Sequence, residues 1–117
     1  MKILGKDLPY KFSGTNPADI TKLAEAEECF SGMQDGTPTG TRGYAAWLRM
    51  NCLCIMDFFT ALFGDGADRE IFGDETDFSV CVDAIMDFYE EVGIQAKKFE
   101  EKYSKYSLNR VQRRGKK

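Results

Sequence analysis

Phe78, Ile85, Val92, Phe99 and Tyr106 recur every seven residues, with Cys81, Phe88, Ala96 and Tyr103 filling the three- and four-residue steps between them. An apolar residue at each such step keeps one stripe on one side of a helix, and the sevenfold spacing suits packing along a neighbouring helix. The pattern predicts a long helix over 76–106, opened by Asp74 or Thr76 as its cap. A body of this size covers only the first half of it. Beyond Gln95 the same stripe continues among Lys97, Lys98, Glu100, Glu101, Lys102 and Lys105, so its second half is an amphipathic extension.

The remaining elements are shorter. Ile3-Leu4, a turn at Gly5-Lys6-Asp7, and Leu8, Tyr10 and Phe12 alternating with Pro9 and Lys11 read as a β-hairpin over 1–13, with the three large side chains on one buried face. Pro9 suits an edge strand because it cannot donate to a ladder. Asn16 as cap, Pro17 at the first helical position and Asp19 in the first turn start a helix over 16–31. Its apolar residues are Ile20, Leu23, Ala24, Ala26, Cys29 and Phe30. A Gly- and Thr-rich loop over 32–43 leads to a helix over 41–63 that is apolar on nearly all sides, as expected of a central or partner-covered helix. Gly64-Asp65-Gly66 ends it, and 67–72 reads as one short helical turn. The fold class expected is α+β, predominantly α: one domain over 1–106, its hairpin packed on about three helices, and a flexible basic tail over 107–117.

Composition narrows the chemistry. The chain has no histidine, the commonest general base, and no phosphate-loop, dinucleotide or nucleophile-elbow motif. Cys52 and Cys54 lie about 200° apart on a helix and cannot chelate one ion together. With Cys29 and Cys81 they read as core thiols, and no metal or cofactor is expected. The carboxylates of 65–77 lack the ligand spacing of a calcium loop. Glu90-Glu91 and Glu100-Glu101 read as solubilising charge, and an enzyme is not expected. No apolar h-region follows Met1, and Arg49, Asn51, Asp57 and Thr60 interrupt the most apolar stretch, so the expectation is a cytoplasmic chain without a membrane span.

Charge is segregated along the chain. Residues 97–117 hold nine basic and two acidic residues, net +7, whereas residues 1–96 hold seven basic and seventeen acidic, net −10. A basic arm suits phosphate contact, which is salt-sensitive and sequence-blind. The acidic body opposes it, and nucleic acid is therefore the weaker reading.

The tail, Lys105-Tyr106-Ser107-Leu108-Asn109-Arg110-Val111-Gln112-Arg113-Arg114, resembles the end of tail assembly chaperones from long-tailed bacteriophages and prophages of Gram-positive bacteria. There a Lys-Tyr-Ser-x-Asn-Arg-x-x-Arg-Arg segment follows a long last helix. The signature residues here are Asn109, Arg110, Arg113 and Arg114; Leu108 stands where Pro is common and Val111 where Ala is common. Phe58-Phe59-Thr60-Ala61-Leu62-Phe63-Gly64-Asp65-Gly66, with Ile71-Phe72-Gly73, is similar to that family's aromatic pair and Phe-Gly turn. The resemblance implies a chaperone that binds the tape measure protein, keeps it soluble, helps recruit tail tube subunits, and is absent from the mature virion. It also implies a short product of a −1 frameshifting gene, and a slippery codon run is expected over Lys116-Lys117.

The residues themselves point the same way. The second helix has more large apolar groups than one face buries, and Met33, Met50, Met56 and Met86 suit adaptable contacts. Phe58, Phe59 and Phe63, with Phe99 and Tyr103, are the candidate surface for a client or for self-association, against the reading that the first three fill the core. The alternatives are a small helical nucleic-acid-binding or regulatory protein acting through the basic tail, and a structural tail component.

Overall fold

Leu4 and Gly5 both take positive φ, 53° and 75°, which makes a tight two-residue turn between β1 (Lys2–Ile3) and β2 (Lys6–Asp7). The strands pair antiparallel, Lys2 opposite Asp7 and Ile3 opposite Lys6. Such a turn matches the right-handed twist of the strands it joins. The left-handed conformation costs a non-glycine residue roughly 1–2 kcal/mol. Leu4 is held in it by its N–H donating to the Asp87 carboxylate at 2.9 Å and by its side chain lying against the core. The turn is therefore Leu4-Gly5, not Gly5-Lys6-Asp7, and the hairpin is shorter than 1–13. Beyond Asp7 one more pair forms, the Leu8 N–H donating to the Met1 carbonyl at 2.9 Å, and the ladder stops at Pro9, which has no N–H to give. The Met1 ammonium donates to the Leu8 and Tyr10 carbonyls at 3.0 and 3.3 Å. Of the three alternating residues only Phe12 is fully buried; Leu8 and Tyr10 are half-buried.

The computed structural model describes residues 1–33, 36 and 38–115, with side chains through Arg110. Asn16 caps α1 (Pro17–Glu27), its Oδ1 accepting the N–H groups of Ala18 and Asp19 at 2.9 and 3.3 Å. The helix tightens into a 3-10 turn, Glu28–Gly32. Leu23 and Ala26 are buried, whereas Ile20 and Ala24 of the expected stripe are exposed, because only one narrow side of this short helix meets α2. The central helix is α2 (Gly40–Phe63), which buries Asn51, Cys52, Ile55, Phe58, Phe59 and Leu62. By length and apolarity it could cross a membrane; here it packs against α1, the 3-10 turn and the two helices that follow. Gly64 at φ 103° and Gly66 at φ 90° turn the chain into α3 (Ala67–Phe72), which adds Ala67, Ile71 and Phe72 to the core.

The last helix, α4, spans Phe78–Gly115. Its cap is Asp77, not Asp74 or Thr76: Asp77 Oδ1 accepts the N–H groups of Ser79 and Val80 at 2.9 and 3.4 Å. Its end also differs from the expectation of a helix to 106 and a flexible tail, since the backbone stays helical to Gly115. Leu108, Arg110, Gln112, Arg113 and Arg114 are good helix formers with no Gly or Pro among them, and basic residues favour a helix C-terminus. Among its described side chains Cys81, Ala84 and Phe88 are fully buried, with Phe78, Ile85 and Val92 half-buried beside them. A straight helix drifts about 20° per seven residues, so a strict sevenfold stripe slides off the line of deepest contact.

Aromatic rings fill the space between α2 and α4. Phe88 meets Phe12, Phe58 and Phe59 edge-on at centroid distances of 5.3, 5.6 and 6.2 Å, and Phe30 stacks on Phe58 at 4.8 Å. Each such pair adds about 0.5–1.5 kcal/mol beyond its buried area.

Candidate functional site: the uncovered half of the last helix

Gln95 is where α4 leaves the body. Its side-chain amide donates to the Phe12 carbonyl at 2.9 Å and its Oε1 accepts the Gly14 N–H at 2.7 Å. Side chains advance about 100° per residue round a helix. By that rotation Phe99, Tyr103 and Tyr106 fall on the side that Cys81, Ala84 and Phe88 turn into the core. Past Gln95 none of the described residues covers that side fully: Phe99, Tyr103 and Tyr106 are 47, 55 and 56% exposed. Their rings form a continuous strip, with centroids 5.9 Å apart between Phe99 and Tyr103 and 6.2 Å between Tyr103 and Tyr106. The Arg110 guanidinium caps it, 5.8 Å over the Tyr106 ring. At the base of the strip a groove of about 410 Å³ opens between Phe12 and Phe99, with Lys98 and Lys102 on its wall.

The core face of a helix is thus prolonged into solvent with its aromatic residues intact and cations beside it, a chemistry complementary to an apolar stripe with acidic neighbours.

A family model, described as a family of unknown function, DUF6673, matches residues 6–117. The chain belongs to DUF6673. The matched region takes in the whole of α4, strip and basic end included. No curated protein and no solved structure matches the chain.

The candidate surface residues of this DUF6673 chain fall into two groups. Phe58 and Phe59 have no exposed area and are core residues, which removes them from any partner surface. They lie where α2 faces α4, and a ring there excludes water instead of meeting a client. Phe63 is half-buried and stacks on Tyr10 at 4.6 Å. Phe99 and Tyr103 are the two that reach solvent, and Tyr106 joins them. Its three-residue step from Tyr103 was the available signal. Met50 and Met86 are exposed, at 46 and 63%, whereas Met33 and Met56 pack against the core. Asn109 and Arg110 lie on the exposed end of α4; the side chains of Arg113 and Arg114, and Lys116 and Lys117 altogether, lie outside the described residues.

The titratable groups of the body serve packing. Cys52 and Cys81 meet across α2 and α4; burial, with Cys52 beside it, pushes the Cys81 thiol up to about 12. Burial also raises Cys29 and Cys54, and the Asp57 carboxylate adds to it. Thiolates are the reactive and metal-binding form, so these cysteines are held in the inert one. Among the described residues no group of three or more His, Cys, Asp or Glu side chains is set to hold a metal ion. Two tyrosines tie elements together. Tyr89 donates to Glu27 at 2.6 Å, linking α4 to α1; Tyr10 donates to Glu70, and burial together with that carboxylate lifts its phenol to about 12.

Proposed function

We propose that this chain is a non-enzymatic tail assembly chaperone of a long-tailed phage or prophage. In this reading it binds the tape measure protein in the host cytoplasm, keeps it soluble and helps recruit tail tube subunits. The observation that supports it best is the aromatic strip on the free half of α4. A long helical client exposes apolar stripes of its own at three- and four-residue spacing, and a free helix face pairs with such a stripe by the packing used in helix-in-groove recognition and coiled coils. The tail motif from Lys105 to Arg114 and the Phe63-Gly64-Asp65-Gly66 turn support the same reading.

Co-expression tests it. With the tape measure protein, the wild-type chain is expected to yield a soluble complex, and Phe99→Ala/Tyr103→Ala to lose both complex and client solubility. Unchanged solubility and binding in that variant would remove the strip from the client surface. Recovery of the chain in purified virions would favour a structural tail component. Arg110 over the Tyr106 ring, within a basic segment, also suits nucleic acid. Salt-dependent DNA or RNA binding that vanishes on deletion of 107–117 would favour that function instead.

A further inference from the structure

The two halves of α4 carry opposite charge on different sides. From Phe78 to Gln95 the helix holds Asp83, Asp87, Glu90 and Glu91 and no basic residue. Its solvent side there shows Val82, Met86 and Ile94, at 37, 63 and 44% exposure, among those carboxylates. At the edge of that side next to the hairpin lies a shallow groove of about 300 Å³, lined by Asp87, Glu90, Glu91 and Ile94 with Lys2 and Gly5 opposite. From Lys97 to Arg110 the helix holds five basic and two acidic residues, and Lys98, Lys102 and Arg110 fall on or beside the aromatic strip. One face is thus apolar with acid around it, the other aromatic with base around it.

We infer that the aromatic, basic extension of one copy docks on the acidic outer face of α4 in a second copy, so that copies add head to tail. The two faces cannot meet within one chain, because both belong to one continuous helix. They also cannot meet reciprocally in a two-fold pair. Val82 and Met86 point about 110° round the axis from Phe99, Tyr103 and Tyr106 at 100° per residue. A supercoiled helix pair absorbs only about 20° per seven residues. Each copy therefore donates with one side and accepts with another. That is a heterologous contact, which continues into an open string unless its rotation closes a ring. Three aromatic side chains of about 150–250 Å² each fall short of the roughly 800 Å² per partner of a stable interface. The contact is accordingly weak, reversible and salt-dependent. It stands apart from the client reading, and its test contains no client.

The test is sedimentation velocity on the full-length chain across a concentration series in low and high salt. The wild type is expected to grow past two copies with concentration in low salt and to fall back toward monomer in high salt. Lys98→Gln/Lys102→Gln/Arg110→Gln removes the donor charges, and Asp83→Asn/Glu90→Gln/Glu91→Gln the acceptor charges; Asp87 is spared because it holds the Leu4 N–H. Each variant alone, its fold checked by circular dichroism, is expected to lose association at least tenfold. Their equimolar mixture pairs one intact donor with one intact acceptor and stops at two copies. A wild type that stays monomeric in low salt, or stops at a dimer, overturns the inference. So do variants that associate like the wild type, and a mixture that stays monomeric or grows past two.

Discussion

Two phenylalanines on packed helices have opposite fates in this molecule. Phe58 has no exposed area and touches the rings of Phe30, Phe59, Phe88 and Tyr89. Phe99 keeps nearly half its surface in water and touches one ring, Tyr103. Phe58→Ala empties a ring-sized volume in a close-packed core and is expected to cost about 3–5 kcal/mol. Phe99→Ala removes a side chain that folding leaves about half exposed, outside the core, and is expected to stay within about 0.5 kcal/mol of the wild type. Urea unfolding of both variants checks this, and an equal loss in Phe99→Ala would make the strip a structural feature, not a surface. Sequence spacing marks both residues as apolar positions on helices without separating them. What separates them is how far the body extends along α4, which depends on where Gln95 meets Phe12 and Gly14.

At the scale of elements, existence and type were legible and the ends were not. Asn16-Pro17 announces α1 unambiguously, and the helix over 41–63 is found at Gly40–Phe63. The sequence reading points to Asp74 or Thr76 as the cap of α4, and the cap is the next residue, Asp77. The choice falls to whichever side chain lies within reach of the first free N–H groups once Phe78 is seated against Trp47, 5.5 Å between ring centroids. Asp77→Ala is expected to cost about 0.5–2 kcal/mol by losing the bonds to Ser79 and Val80. Asp74→Ala and Thr76→Ala stay within about 0.5 kcal/mol as ordinary surface changes. Thermal or urea melts rank the three, and a larger loss at Asp74 would move the cap back to it. The hairpin turn escaped for a related reason. A leucine at positive φ is a poor guess from residue type, and only its tertiary anchors, Asp87 and the core, make it the turn residue.

The molecule as a whole is a rod with a body at one end. Its extents are 72 × 30 × 22 Å and its radius of gyration is 18.9 Å, whereas a compact chain of this length has about 13 Å. The difference lies in α4 beyond Gln95: every residue from Ala96 to Arg110 is exposed, so folding the body gains little from them. A chain ending at Lys98 keeps Gln95 and its bonds to Phe12 and Gly14 while losing Tyr103, Tyr106 and all but two of the basic residues of 97–117. In high salt, where copies stay apart, X-ray scattering is expected to show the radius of gyration falling toward ~13 Å. The melting temperature is expected to move by less than about 4 °C, the shift that roughly 1 kcal/mol produces in a domain of this size. In low salt the same truncation removes the donor face and with it any growth beyond the monomer. A collapse of the melting temperature would mean that the extension folds back to stabilise the body, and then neither a client nor a second copy would find the strip free.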